Sequence, residues 1–141
     1  MKLLVSACLL GTNCKYSGDH NYCPAVAALA ERHTLIPVCP EQLGGLPTPR
    51  TPAERVGERV MTEDGRDVTE QYRRGAEEAV KLAKLLGAEG AVLKFRSPSC
   101  GCGTIYDGTF SHTRIPGNGV AAQAILDLGL PVWTEENIAD L

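Results

Sequence analysis

Four short apolar runs punctuate the chain, over residues 2–7, 34–38, 90–95 and 131–133, each of strand length and without regular polar alternation. That pattern predicts strands covered on both faces, as in a parallel sheet. Between the first two runs, residues 24–33 (PAVAALAERH) place Pro24 at a first helical position, gather alanine and leucine on one side, and close on Arg32 and His33. They predict a crossover helix. A longer helix is predicted from Asp67 or Thr69 to Gly87. Tyr72, Ala76, Ala79, Val80, Ala83 and Leu86 recur there at helical spacing, and Arg73, Arg74, Glu77, Glu78, Lys81 and Lys84 can face water. Glu70, three places after Asp67, suits a capping box, and Gly87 suits a helix stop. Residues 119–128 repeat the pattern more weakly, and 135–141 suggest a last short turn of helix. Glu63-Asp64-Gly65 predicts a small hairpin over 61–68. The stretch 40–59, with GGLPTPRTP, is expected to be irregular, and a loop of that length in a small domain is usually functional.

Alternating strands and helices predict an α/β fold: a single Rossmann-like domain over residues 1–141, with a mainly parallel sheet and helices on both faces. Composition agrees, with 43% hydrophobic and 22% charged residues, enough apolar material for one core. The net charge of -3, from 14 basic and 17 acidic residues dispersed along the chain, offers no basic footprint for nucleic acid or an anionic membrane. The opening MKLLVSACLLG is too short to span a bilayer and lacks a small-residue cleavage site, so a cytoplasmic protein is expected. In a reducing compartment, six cysteines point to a metal or to catalysis rather than to disulfides.

Three of the cysteines share one context. VSA precedes Cys8, IPV precedes Cys39 and AVLKFRSPS precedes Cys100, so each follows a predicted strand within a few residues. The carboxyl ends of parallel strands lie along one sheet edge, where ligands bind between diverging loops. Thiols distant in sequence are therefore expected to meet there, as soft ligands suited to an iron-sulfur cluster, zinc or copper. Three protein ligands leave one coordination position open to a substrate. Any one of these cysteines alone would read as a small buried hydrophobe; the shared placement argues against that.

Cys14 is a candidate fourth ligand, Cys102 a neighbouring thiol, and Cys23 a helix-entry or core residue. The absence of any CxxC pair argues against ribbon-type zinc and thioredoxin-like readings. Glu41, two residues after Cys39, and Ser97 and Ser99, just before Cys100, are candidates for moving protons. A solvated or capping carboxylate and plain turn serines are the competing readings. Arg50, Lys94 and Arg96 are candidate cations for an anionic intermediate, and Tyr106, Asp107 and Gly108 form a turn that can wall a pocket. His20, His33 and His112 share no spacing and are read as surface residues.

ACLLGTNCKYSG at 7–18, PVCPEQLGGLPTPR at 37–50, GRDVT at 65–69 and KFRSPSCG with IYDGTF at 94–110 together resemble the thiouracil desulfidase family, in order and over nearly the whole chain. The resemblance implies a 4Fe-4S cluster bound by Cys8, Cys39 and Cys100, with one iron free of protein ligands. It also implies hydrolytic, non-redox removal of sulfur from a thiolated pyrimidine such as 2-thiouracil. Glu41 and one of Ser97 or Ser99 are then expected to handle protons, while Arg50, Lys94, Tyr106 and Asp107 are expected substrate contacts on their own chemistry and position. Ser17 departs from the family pattern, which has an acidic residue after the tyrosine. Two other readings fit the residues: a zinc hydrolase in which Glu41 activates a bound water, and a non-catalytic module whose metal is closed off by Cys14.

Overall fold

The structure is a computed structural model describing residues 1–141. Its centre is a four-stranded sheet of β1 (Lys2–Ser6), β2 (Thr34–Val38), β5 (Gly90–Leu93) and β8 (Val132–Thr134), in the order β2-β1-β5-β8 and parallel throughout. Side chains alternate across a strand, so each face of the sheet builds its own core. On one face Leu3, Val5 and Val92 meet Val26 and Leu29 from the first crossover segment. On the other, Leu4, Ala91 and Leu93 meet Ala79 and Ala83 of α3 (Thr69–Leu86) and Ala122 and Ile125 of α4 (Val120–Asp127). Helices therefore cover both faces. The chain leaves β1 towards β2 on one side and leaves β5 towards β8 on the other, so the loops after β1 and β5 diverge and open a crevice.

Several local expectations change. The first crossover is a single α-helical turn, α1 (Pro24–Ala27), which tightens into a 3₁₀ turn over Ala28–Glu31, as short helix ends commonly do. β2 is a half-exposed edge strand rather than a buried one, and this is where Pro37, with no N–H to give, is tolerated. β5 stops at Leu93 instead of running to Phe95. The Lys94 N–H turns to Ser6 Oγ at 2.9 Å and the Phe95 N–H to Glu135 Oε1 at 2.6 Å. Leu85 and Leu86 are exposed, and Gly75 is buried in their stead. No capping box forms, because Glu70 pairs with Arg73 at 3.1 Å; Asp67 alone accepts the Thr69 N–H at 2.9 Å.

The stretch expected to be irregular holds α2 (Pro40–Leu43) and β3 (Ala53–Val56), which pairs with β4 (Arg59–Thr62) as an antiparallel hairpin. The turn at Glu63-Asp64-Gly65 folds the chain back on β4 as expected: Met61 bridges Asp67 antiparallel, with the Thr62 N–H on the Arg66 carbonyl at 2.8 Å and the Val68 N–H on that of Val60 at 2.9 Å. A second hairpin, β6 (Thr104–Tyr106) with β7 (Arg114–Pro116), carries no alternation of buried and exposed positions strong enough to foresee.

Helices α2 and α3 touch backbone to backbone through two glycines. A Cβ on Gly75 would lie 1.8 Å from the Pro40 carbonyl oxygen, and one on Gly44 would lie 1.9 Å from that of Gln71. Gly75→Ala is therefore expected to lower the unfolding free energy by about 3 kcal/mol, the upper end of overpacking costs. Chemical denaturation checks this, and a loss within about 0.5 kcal/mol, typical of surface changes, would show that the helices part freely.

Candidate active site

Cys8 sits in the 3₁₀ turn Ala7–Leu10 directly after β1, Cys39 joins β2 to α2, and Cys100 lies in the loop after β5. All three line one cavity of about 410 Å³ at the carboxyl edge of the sheet, and Cys14 lines it with them. No group of three or more His, Cys, Asp or Glu side chains is gathered tightly enough to hold a single metal ion. Cys23 and Cys102 do not line this cavity.

Cys14 joins the first two sulfurs. Its thiol hydrogen-bonds to Cys8, which brings the Cys8 pKa down to about 7 against the opposing effect of burial. A contact between the same thiol and Cys39 brings the Cys39 pKa down to about 7. With one proton between two neighbouring sulfurs, Cys14 is itself pushed far up, first by its contact with Cys39 and then by that with Cys8. As a thiol, Cys39 donates instead to the Cys14 carbonyl at 3.7 Å. Burial pushes Cys100 up to about 12. A thiolate there needs a positively charged partner to offset its lost hydration.

The Cys100 loop is fixed by α4. The Pro98 carbonyl accepts from the Val120 N–H at 3.0 Å, the Ser99 carbonyl from Ala121 and Ala122 at 2.9 and 3.1 Å, and the Gly101 carbonyl from Gly119 at 2.7 Å. The loop thus supplies the acceptors that a helix start requires. A Cβ on Gly119 would meet the Ser99 carbonyl at 2.4 Å, so the approach depends on a glycine.

Glu41, in the first turn of α2, faces the same cavity. The fully buried Tyr72 of α3 donates its hydroxyl to Glu41 Oε1, and Arg50 Nη2 donates to Oε2 at 3.2 Å. Burial, then the charge of Glu41, holds the Tyr72 pKa well above its usual value, so the phenol stays a donor. Arg50 also donates to the Cys14 carbonyl at 2.8 Å and to Thr48 Oγ1 at 2.9 Å. Its side chain is only 4% exposed. Arg50, expected at the substrate, therefore lies behind Glu41 and does not line the cavity.

Of the two serines, Ser97 lines the cavity and Ser99 does not. Ser97 Oγ accepts the N–H groups of Ser99 and Cys100 at 3.1 and 3.0 Å, leaving its own proton to give. Ser99 is 1% exposed and its Oγ is without a partner. Lys94 lines the cavity but is paired with Glu135 at 2.8 Å, which offsets its charge. Tyr106 lines the cavity; Asp107 does not, and accepts the Thr109 N–H at 3.0 Å. Two lining residues, Glu54 and His112, have no distinguishing signal in the sequence. Nothing in AERVGERV separates Glu54 from Glu58, and His112 is exposed at the rim, where a surface histidine is ordinary.

Comparison with known proteins gives three findings. The profile of the 2-thiouracil desulfurase family matches residues 3–137. YbbK of Bacillus subtilis, an uncharacterised protein, is 40% identical over 149 residues covering 99% of this chain and 99% of its own length. A solved structure of the 4Fe-4S-dependent thiouracil desulfidase TudS superposes with a TM-score of 0.93 at 43% identity, over 99% of this chain and 94% of that one.

Proposed function

Because the chain belongs to the 2-thiouracil desulfurase family, we propose that it is an enzyme that removes sulfur from a thiolated pyrimidine of the 2-thiouracil kind by means of a 4Fe-4S cluster. Cys8, Cys39 and Cys100 hold the cluster in this reading, and one iron has no protein ligand. The observation that carries it is the convergence of three strand-end thiols and one anchored carboxylate on a single cavity. The donor set suits the group: thiolates are the usual ligands of iron-sulfur clusters, and three of them line one cavity. When bound, such a cluster supplies a soft Lewis-acid position for a thiocarbonyl sulfur.

The protein's own residues then have simple tasks. Glu41, held by Tyr72 and Arg50, presents its carboxylate to the cavity and takes a proton from the water that attacks the thiocarbonyl carbon. Ser97, with its hydroxyl proton uncommitted, donates a hydrogen bond to the departing sulfur, which takes up the proton held by Glu41 and leaves protonated. The carbon–sulfur bond is replaced by a carbon–oxygen bond and sulfur departs as sulfide, with no change of oxidation state. Tyr106 offers an aromatic wall to a flat ring, and Lys94, its charge offset by Glu135, contributes polarity without strong anion binding.

Anaerobic purification tests the reading directly. The expected preparation is brown, contains iron and acid-labile sulfide, and releases sulfide from 2-thiouracil. A colourless protein with stoichiometric zinc and no labile sulfide would sink it.

A further inference from the structure

Glu54 of β3 is 9% exposed and lines the cavity, yet no proton-handling or ligand role above uses it. Its Oε1 accepts the backbone N–H of Gly108 at 3.0 Å and that of Phe110 at 3.2 Å, reaching across more than fifty residues to the loop that joins β6 to β7. That loop is held in an unfavourable conformation. Phe110 and His112 have φ of 58° and 60°, the left-handed region that side chains other than glycine rarely adopt. Gly108 sits so close to β3 that a Cβ would lie 2.7 Å from the Arg55 carbonyl oxygen. Both left-handed residues line the cavity, and His112 meets Tyr106 edge to face at 5.9 Å.

We infer that Glu54 is a positioning residue for substrate binding: its carboxylate clamps two amides of the loop over 107–113 and so sets Phe110 and His112 as walls for a flat heteroaromatic ring. The inference rests on the proposed function for the identity of that ring. Two hydrogen bonds to a charged acceptor offset the left-handed strain, and without them the loop relaxes away from the cavity. A wall of this kind acts on binding. It leaves the thiols, Glu41 and Ser97 where they are, since none of them touches the clamp.

The test compares Glu54→Ala and Glu54→Gln in the cluster-loaded enzyme, with 2-thiouracil as substrate. Glu54→Ala is expected to raise KM about tenfold or more, as losing hydrogen bonds to a charged group implies, with kcat within about twofold and iron per chain unchanged. Glu54→Gln keeps a carbonyl acceptor at the same reach and should stay within about threefold of the original KM. Hydrogen exchange of the Gly108 and Phe110 amides, read without any turnover, should quicken about tenfold or more in Glu54→Ala alone. An unchanged KM would overturn the inference, as would a fall in kcat at constant KM, which would make Glu54 a proton carrier. Should Glu54→Ala fail to fold, Phe110→Gly removes the ring and the strain together; it must raise KM comparably or the inference is wrong. Absence of sulfide release by the unmodified enzyme would instead defeat the proposed function, while amide exchange would still decide whether Glu54 holds the loop.

Discussion

Glu41→Gln is expected to lower kcat by about 10²–10⁴-fold, the range usual for a lost general base, while iron and labile sulfide stay at their original level. The substitution keeps the shape of the side chain and keeps an oxygen for Tyr72 or Arg50 to donate to, but it removes the site that accepts a proton. Arg50 retains the Cys14 carbonyl and Thr48 Oγ1 as partners, so the cysteine loop should not shift. The effect should appear in kcat more than in KM, because water attack and not ring binding is impaired. Sulfide release under saturating substrate measures it. Turnover within about tenfold of the original would remove Glu41 from proton transfer and leave it as a structural partner of Arg50.

The second large effect concerns the thiols. Cys8→Ser, Cys39→Ser and Cys100→Ser should each lose the visible absorption together with iron and labile sulfide, since a hydroxyl is a poor, hard ligand for iron-sulfur centres. Cys14→Ser should keep all three. Its single S–H can go to either Cys8 or Cys39, the position of a group that tunes both ligands without being one. Removing such a group typically weakens metal affinity about 10–100-fold rather than abolishing it, which a chelator titration resolves. If Cys14→Ser instead empties the site, all positions on the metal centre are closed by protein and the non-catalytic reading wins.

The sheet and the thiols were legible because they rest on strong, local signals. Four apolar runs without alternation gave parallel strands, and a cysteine shortly after three of them placed the site at one edge through topology alone. The roles around the thiols were less legible, because they depend on which way a side chain turns. Arg50 and Lys94 look alike in sequence as free cations, yet one is buried behind Glu41 and the other is paired with Glu135. Ser97 and Ser99 differ only in which side of a tight turn they occupy. Tyr72 read as an apolar helix position, which it is, and nothing in its spacing announced that its hydroxyl ends on Glu41. Glu54 was hidden for a related reason: its partners are backbone amides, which every loop possesses.

The docking of the Cys100 loop on the start of α4 ties two events together. Carbonyls at residues 98, 99 and 101 are the acceptors for four amides of residues 119–122, so the loop cannot swing away without fraying the helix. Because α4 leads into β8, the edge strand beside β5, displacement of one sulfur would be felt along that margin of the sheet. Moving Cys100 and unwinding the first turn of α4 are thus a single equilibrium viewed from its two ends.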